Sequence, residues 1–304
     1  MENQNNQKQR RLPDWLKSPL PHGEKYSKVK KTIEDNDLNT ICTSGNCPNR
    51  GECWSAGTAS FMILGDKCTR NCRFCDVVNI LPEAVDWREP RRLAESIRKL
   101  ELKHAVITSV ARDDLRDGGT AVWVKTIEMV KHLNPNTTIE VLIPDLNGKK
   151  ELIDKIISAG PEVISHNMET VRRLTPHIRN LARYDRSLKV INQVAHSGLV
   201  AKSGIMLGFG ETKEEVIETI DDLAEAGCDV LTIGQYLQPD NHLEKVQEYV
   251  HPDTFRLYRE EALKRGFGAV ESSPLVRSSY HAEKHVYAKR KTNKNYNPAS
   301  QGTV

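Results

Sequence analysis

The chain has 304 residues, which is long enough to bury about 75% of the surface that it exposes when unfolded. Its 38% hydrophobic and 28% charged residues, with a net charge of only +3, argue against a disordered or fibrous protein. No apolar run approaches the roughly 20 residues that span a bilayer, and no signal-peptide stretch is seen, so we expect a cytoplasmic location and no membrane partner.

The small net charge is unevenly distributed along the chain. Residues 1–32 hold eight Lys or Arg against three acids, and residues 281–304 hold five against the single acid Glu283. Two explanations remain open for these basic ends. They are either ordinary solvated tails or a means of docking onto an acidic macromolecule.

The first 40 residues show no clear periodicity and contain Pro13, Pro19 and Pro21. Because proline interrupts regular elements, we predict an extended arm here rather than a core element. This arm belongs to an N-terminal region, residues 1–57, which also carries the first group of cysteines.

From residue 58 onward, apolar β-branched runs alternate with segments of helical period. The predicted strands are 58–65, 104–110, 138–144, 162–167, 203–209 and 229–234. The predicted helices include 91–103, 121–133, 150–159 and a helix that follows residue 211. The last of these opens with a capping box formed by Thr212 and Glu215.

Alternating strands and helices over residues 58–270 predict an α/β domain with a parallel sheet. Six units are too few for a closed eight-unit barrel, so a partial (β/α)6 TIM-type barrel and a doubly wound open sheet both fit. The unusual sequences follow the strands, where the carboxyl ends of a barrel carry its active site, and this placement favours the barrel. Residues 271–304 lack the repeat and are interpreted as a C-terminal extension that returns to the site.

Six of the seven cysteines form two trios, and the trios are the most specific signal in the chain. The first trio is Cys42, Cys47 and Cys53, and the second is Cys68, Cys72 and Cys75. Three thiolates cannot ligate all four irons of a cubane, so each trio predicts a 4Fe–4S cluster whose fourth iron is held by something else. A zinc knuckle or structural thiols are the alternatives, but a structural zinc site closes with four ligands and no fourth Cys or His follows nearby. Cys228 opens an apolar stretch, so we interpret it as a buried small hydrophobe.

The segment CTRNCRFCD resembles the radical S-adenosylmethionine enzymes, in which an aromatic residue, here Phe74, precedes the third cysteine. The resemblance implies that Cys68, Cys72 and Cys75 leave one iron free to chelate S-adenosylmethionine. The reduced cluster would then release a 5′-deoxyadenosyl radical inside an enclosed barrel.

Further contacts to S-adenosylmethionine are predicted at two other strand ends. The radical S-adenosylmethionine enzymes use a Gly-Gly-Glu segment after the second strand, and this chain has Gly118 and Gly119 without the acid, so only a backbone contact is carried over. Asn167 and Glu169 end the fourth predicted strand and are expected to point into the lumen, although a turn-capping role is the alternative. His166 and His242 are interpreted as structural.

The first trio and several later segments resemble the lipoyl synthase family. The matching segments are TSVARDDLRDGG, SHNMETV, SGIMLGFGET, IGQYLQP and VRSSYHA, in the family's order. The resemblance implies that Ser279, or less favourably Ser278, is the fourth ligand of an auxiliary cluster. An alkoxide is a harder donor than a thiolate and suits cluster iron less well, so this corner should open most easily.

The resemblance further implies sulfur insertion at carbons 6 and 8 of a protein-bound octanoyl-lysine, with the auxiliary cluster as the sulfur source. The implied partners are octanoylated lipoyl-carrier domains (E2 subunits and the glycine-cleavage carrier protein), reduced flavodoxin or ferredoxin, and an iron–sulfur carrier that repairs the cluster. We predict that the basic C-terminus helps to recruit the carriers through Lys284, Lys289, Arg290, Lys291 and Lys294.

Two other functions compete with this interpretation. One is another radical S-adenosylmethionine enzyme, biotin-synthase-like or methylthio-transferring, in which the extra cluster is arranged differently. The other is a metal-stabilised module that contacts nucleic acid through its basic tails. Those tails lack interleaved aromatic pairs, so no nucleic-acid partner is expected.

Overall fold

The computed structural model describes residues 12–18 and 21–290. Pro19 and two of the proposed docking residues, Lys291 and Lys294, lie outside these ranges.

The described residues form alternating helices and strands. The helices are α1 (Gly23–Asp35), α2 (Ile41–Ser44), α3 (Arg50–Ser55), α4 (Glu89–Leu100), α5 (Thr120–Leu133), α6 (Lys150–Ala159), α7 (Thr175–Ile178), α8 (Tyr184–Ala195), α9 (Lys213–Glu225) and α10 (Pro252–Lys264). The strands are β1 (Asn39–Thr40), β2 (Ser60–Ile63), β3 (Lys67–Cys68), β4 (Val78–Asn79), β5 (His104–Ser109), β6 (Thr138–Leu142), β7 (Val163–Ser165), β8 (Val200–Leu207), β9 (Val230–Gln235) and β10 (Ala269–Ser272).

One large sheet organises the fold, in the order β1-β2-β5-β6-β7-β8-β9-β10. Neighbouring strands in this order pair in parallel from β2 onward, which gives seven parallel strands. Strand β1 pairs antiparallel with β2 at one edge of the sheet. The sheet is curved, because side chains of non-adjacent strands meet inside it: Lys202 of β8 bonds Glu140 of β6 at 2.8 Å. The predicted α/β partial barrel is confirmed, with α10 and β10 adding one unit to the six that were predicted.

The helices form where apolar spacing and capping predict them. On α4, Leu93 and Ile97 are buried at the sheet. At the start of α9 the capping box is complete, since the Thr212 hydroxyl accepts from the backbone N–H of Glu215 and the Glu215 carboxylate accepts from that of Thr212. This arrangement satisfies two amides that would otherwise have no partner at the helix start.

The N-terminal arm is not extended throughout, which corrects the prediction for residues 21–40. Helix α1 occupies Gly23–Asp35 and buries Val29 and Ile33 in the same core as β2 and α4. Lysines on the other face of α1 obscure its short apolar stripe in the sequence. At the other boundary, β10 crosses the predicted domain limit at residue 270.

Within the described ranges, every helix is too short or too polar to cross a membrane.

Candidate functional site

A cavity of about 450 Å³ lies at the carboxyl ends of the parallel strands. Its walls include Thr108 of β5, Leu142 of β6, Gly204 of β8 and Thr232 of β9. Strands that are distant in sheet order therefore face one shared space, as the barrel interpretation requires.

Residues of both cysteine trios line this cavity, together with serines from the C-terminal part of the described chain. The cysteine and serine residues that line it are Cys42, Cys47, Cys68, Cys72, Cys75, Ser278 and Ser279, together with Ser109 on β5. Cys53, the third member of the first trio, lies on α3 just outside the lining. The structure thus brings the two predicted cluster sites and the predicted serine ligand to one space.

The first trio is positioned by a series of short turns. Cys42 lies on α2, whose start is capped by the Thr40 hydroxyl accepting from the backbone N–H of Thr43 at 3.3 Å. The N–H of Cys47 donates to the Cys42 carbonyl at 3.1 Å, and the N–H of Cys53 donates to the carbonyl of Asn49 at 2.9 Å. Burial, with Cys42 and Cys47 nearby, raises the pKa of Cys53 to about 12.

The second trio begins at Cys68, the last residue of β3, and continues on the loop that leads to β4. The backbone N–H groups of Arg70 and Ala111 point at the Cys68 sulfur, at 3.4 and 3.3 Å. The N–H of Cys75 donates to the Cys72 carbonyl at 3.0 Å. Hydrogen bonds of this kind to ligand sulfurs help to set the reduction potential of an iron–sulfur cluster.

The pKa values of these thiols test whether iron fits the site. Burial raises the pKa of Cys72 to about 11 and that of Cys75 to about 12. The sulfurs would therefore remain protonated at neutral pH unless a cationic centre bound them as thiolates. Cluster iron supplies such a centre, so donor type and burial both fit it.

The described residues contain no group of three His, Cys, Asp or Glu side chains that already converge on a single metal ion. A cubane is ligated through separate irons, so its thiolates are held farther apart than the ligands of one ion. The spacing of the thiols among the described residues is therefore compatible with a cluster.

A buried ion-pair network holds the second cysteine loop in place. Arg70, between Cys68 and Cys72, pairs with Asp113 and also donates to Asp145 at 2.7 Å. Burial alone would raise the pKa of Asp145, but the Arg70 cation outweighs it and holds that pKa at about 2. The loop is thereby tied to the segments that follow β5 and β6.

Three of the other predicted cofactor contacts, Phe74, Asn167 and Glu169, line the cavity. Burial raises the pKa of Glu169, which the Arg179 cation partly opposes. Glu169 has a left-handed φ of 65° and bridges to Ile205 of β8, so the strand-end backbone fixes where its carboxylate lies. Phe74 packs against a small apolar cluster that contains Ile178, Phe209 and Tyr236.

The glycine pair, whose backbone contact to S-adenosylmethionine stays a prediction, lies in a tightly packed turn. Gly118 lines a separate cavity of about 40 Å³, and Gly119 precedes α5 with a φ of 83°. A Cβ on Gly119 would lie 2.5 Å from Leu64 Cδ1. These glycines therefore permit a turn and close packing, and neither belongs to the lining of the main cavity.

An irregular segment between β9 and α10 contacts both cysteine loops and was not assigned from sequence. Its Glu244 accepts from His177 at 2.9 Å and its backbone N–H donates to the Arg73 carbonyl at 2.8 Å, while Asn46 donates to the Pro239 carbonyl at 3.5 Å. Leu237, Gln238 and Pro239 line the cavity. Two signals mark it in the sequence: the segment IGQYLQP, which covers its first residues, and the length of the connection, since long irregular loops are often functional.

The C-terminal extension returns to the first trio as predicted. The Asn49 amide donates to the Leu275 carbonyl at 2.6 Å, and the Tyr280 hydroxyl donates to Glu52 at 3.3 Å. Arg277 lines the cavity, and burial lowers the pKa of its guanidinium while the nearby Cys47 opposes this. Ser279 is therefore carried to the same side as Cys42 and Cys47.

The histidines and the seventh cysteine have local partners. His166 contacts the Ile143 carbonyl and the Ser187 hydroxyl, both at 2.9 Å, although it also lines the cavity. His242 pairs with Asp240 at the surface. Cys228 is fully buried, and its thiol donates to the Val230 carbonyl at 3.2 Å.

Two of the proposed docking residues also have partners within the chain, and their role in docking stays a prediction. Lys289 pairs with Asp229 at 3.2 Å, and Arg290 donates through its backbone to Asp229 and through its guanidinium to the Arg265 carbonyl. Their charges hold the C-terminal segment to the barrel.

Comparison with known proteins agrees with this arrangement. Residues 62–223 match the model of the radical SAM superfamily, and residues 1–47 match that of the N-terminal domain of lipoyl synthase. The chain is 57% identical to the lipoyl synthase of Parabacteroides distasonis over 91% of this chain and 98% of that protein. It is 58% identical to the lipoyl synthase of Treponema denticola, over 91% and 95% of the two chains.

Solved structures with the same fold are much more distant in sequence. Methylornithine synthase has a TM-score of 0.52 at 13% identity, covering 79% of this chain and 67% of that chain. The maturase HydG of FeFe-hydrogenase has a TM-score of 0.52 at 14% identity, covering 89% and 73%. At such identities the likeness concerns the fold alone.

Proposed function

The chain belongs to the lipoyl synthase family of radical S-adenosylmethionine enzymes, and from that premise we propose that it inserts two sulfur atoms, at carbons 6 and 8 of a protein-bound octanoyl-lysine. The observation that carries the proposal is that Cys42, Cys47 and the second trio line one cavity with Ser279. Radical generation and sulfur donation can then act on one alkyl chain without moving it between sites.

Members of the superfamily use a 4Fe–4S cluster and S-adenosylmethionine, and we assign the cluster to Cys68, Cys72 and Cys75. When bound, it supplies one electron to the sulfonium of S-adenosylmethionine, whose cleavage gives a 5′-deoxyadenosyl radical. Asn167 and Glu169 are proposed to bind the polar groups of S-adenosylmethionine, since both line the cavity beside this trio. Phe74 is proposed to pack on the same ligand.

A second 4Fe–4S cluster, held by Cys42, Cys47, Cys53 and Ser279, is proposed as the sulfur-donating substrate. Each insertion breaks one C–H bond, whose hydrogen atom leaves with 5′-deoxyadenosine, and forms one C–S bond to a cluster sulfide. Two insertions consume two molecules of S-adenosylmethionine and dismantle this cluster. A serine corner is the corner from which iron would most readily be lost.

The chain's own residues serve this chemistry mainly by binding and by excluding water. Leu142, Ile143, Ile205 and Met206 give the cavity an apolar wall suited to an alkyl chain. No acid or base is needed at carbons 6 and 8, because unactivated C–H bonds have no useful acidity. The buried histidine at the wall, His166, already bonds to the protein through both ring nitrogens.

The family acts on lipoyl-carrier substrates, and we propose octanoylated E2 subunits and the glycine-cleavage carrier protein as those of this enzyme. Reduced flavodoxin or ferredoxin would supply electrons, and an iron–sulfur carrier would rebuild the spent cluster. Of the basic residues considered for carrier docking, Lys284 and Lys289 are exposed among the described residues.

The decisive experiment measures whether the sulfur atoms in the product come from the enzyme's cluster sulfide. The enzyme is reconstituted with isotopically labelled sulfide and allowed one turnover on an octanoyl-lysine peptide, and the product mass is measured. We expect both inserted atoms to carry the label. A product that contains only unlabelled sulfur, or no thiolated octanoyl peptide at all, would refute the proposed reaction.

A further inference from the structure

The segment after Ser279 is fixed by a ladder of tight turns. We define residues 277–290 as the C-terminal strap. Within it the N–H of Ala282 donates to the Ser279 carbonyl at 3.4 Å, and the N–H of His285 donates to the Ala282 carbonyl at 3.0 Å. Two consecutive hydrogen-bonded turns therefore link the backbone of His285 to that of Ser279.

His285 is the buried end of this ladder. It is 0% exposed, and its Nδ1 lies 3.1 Å from the ammonium of Lys202, which also donates to Glu140 at 2.8 and 3.1 Å. Because an ammonium can only donate, Nδ1 is the acceptor and the imidazole is neutral. Burial and the Lys202 cation lower the pKa of His285 to about 4, which agrees with that state.

The remaining groups around this imidazole are charged or polar and come from other strands. Glu271 of β10 lies 3.7 Å from Nε2 of His285, and His104 of β5 lies 3.8 Å from Glu140. Nε2 of each histidine has no hydrogen-bond partner among the described residues. The strap thus meets β5, β6, β8 and β10 at one buried polar cluster.

A buried Lys–Glu pair is a poor source of stability, because desolvating the two charges offsets most of their attraction. Its best-attested use is to specify one arrangement of the elements that meet at it. Here that arrangement is the docking of the strap. An apolar core would allow the strap to pack in several registers. The ammonium of Lys202 favours the single register in which His285 Nδ1 can accept its hydrogen bond.

We propose that His285 is a positioning residue, which uses the buried Lys202–Glu140 pair to hold the strap in the one register that presents Ser279 to the first cysteine trio. The inference rests on the proposed function, since it takes Ser279 as the fourth ligand of the auxiliary cluster. The far end of the strap adds a second anchor, where Lys289 and Arg290 bind Asp229.

The test isolates the auxiliary cluster in a variant that lacks the second trio (Cys68→Ala, Cys72→Ala, Cys75→Ala). Such a protein should bind about four irons per chain. Its Mössbauer spectrum should contain one oxygen-ligated iron site, which Ser279→Ala should remove. In that background we expect His285→Leu to weaken the same signal, whereas His285→Gln, which keeps an acceptor for Lys202, should restore it.

Hydrogen exchange of the reconstituted protein gives a second readout. In His285→Leu, amides of the strap should exchange at least about tenfold faster, since a hydrogen bond to a charged group is lost. Tyr287→Leu is the matched control, because Tyr287 lies on the same strap and is 87% exposed. It should leave the spectrum and the exchange rates unchanged.

If His285→Leu does not fold, the double variant Lys202→Met, Glu140→Leu replaces the pair with apolar groups of similar volume, which cores tolerate. It should produce the same spectral loss. An unchanged oxygen-ligated signal in the leucine variant, or in the double variant, would overturn the inference. If Ser279→Ala itself leaves the spectrum unchanged, the ligand assignment fails, and the inference with it.

Discussion

Arg70 and Asp113 form a two-point ion pair, with Nε 2.7 Å from Oδ2 and a terminal nitrogen 2.8 Å from Oδ1. Arg70 lies within the second cysteine loop and Asp113 follows β5, so the pair fixes the loop against the sheet. Arg70 is buried whereas Asp113 lies at the surface, and such charge-assisted, two-point bonds specify orientation as well as contact.

Replacing Arg70 with lysine should disturb the second cluster without unfolding the barrel. Lysine keeps the charge but cannot make the planar two-point contact. We expect S-adenosylmethionine cleavage with a chemical reductant to fall about tenfold or more, as expected for losing a charged hydrogen bond. Arg91→Lys is the control, since Arg91 pairs with Glu95 on the exposed face of α4. Equal cleavage rates in the two variants would contradict a role for the ion pair.

Removing Cys42 should separate the two proposed chemical tasks. Cys42→Ala is expected to lower the iron content from about eight to about four per chain. It should still cleave S-adenosylmethionine but give no lipoyl product. Cys228→Ala is a matched control, because Cys228 is also buried but lies away from both trios. Thiolated product from the Cys42 variant, or a comparable iron loss in the Cys228 variant, would argue against the assignment.

The adjacent serines allow a direct comparison at the proposed fourth corner. Ser279→Ala should abolish sulfur insertion while retaining radical generation, because only the auxiliary cluster loses a ligand. Ser278→Ala should retain most insertion activity, although Ser278 lines the same cavity. Product analysis by mass spectrometry measures both. The reverse pattern would assign the ligand to Ser278.

Stability should fall on mild acidification because two buried histidines resist protonation. Burial, with the Lys202 and Arg179 cations, lowers the pKa values of His285 and His166 to about 4, from 6.5. Below pH 6.5 the unfolded chain binds protons that the folded chain does not, so this stability is complete above pH 6.5 and declines toward pH 4.

As the pH falls from about 7 to about 5, each histidine should lower the free energy of unfolding by about 2 kcal/mol. Urea unfolding of the reconstituted protein measures it, with iron absorbance monitored to confirm that the clusters persist. His285→Gln should flatten the decline by the share of one histidine. A decline identical to that of the unsubstituted protein would show that His285 does not titrate as expected.

Local patterns predicted much of the barrel. The apolar runs around Ile63, Val106 and Val141 became parallel strands, and Thr212 with Glu215 formed the predicted capping box. Elements with weak local signals were missed. The four residues of β10 follow Gly268 closely, and the apolar side chains of α1 are few among its lysines.

The parts of the candidate site that residue type and spacing along the chain indicate, as in the two cysteine trios, were predictable. The site was not predictable where contacts join distant segments. Nothing in the sequence indicates that Lys202 and His285 meet, because only the curved sheet and the returning strap bring them together. Gly118 and Gly119 lie in a tightly packed turn, and their predicted backbone contact to S-adenosylmethionine stays a prediction.

The auxiliary site is assembled from opposite ends of the chain, with Cys42 near the beginning and Ser279 near the end. During synthesis, a ribosome would expose the first trio long before the serine that completes it. Cys68, Cys72 and Cys75 lie on one short loop and emerge together. Maturation should therefore have an order imposed by translation: the second trio is complete early, and the sulfur-donating site closes only after Ser279 has been synthesised.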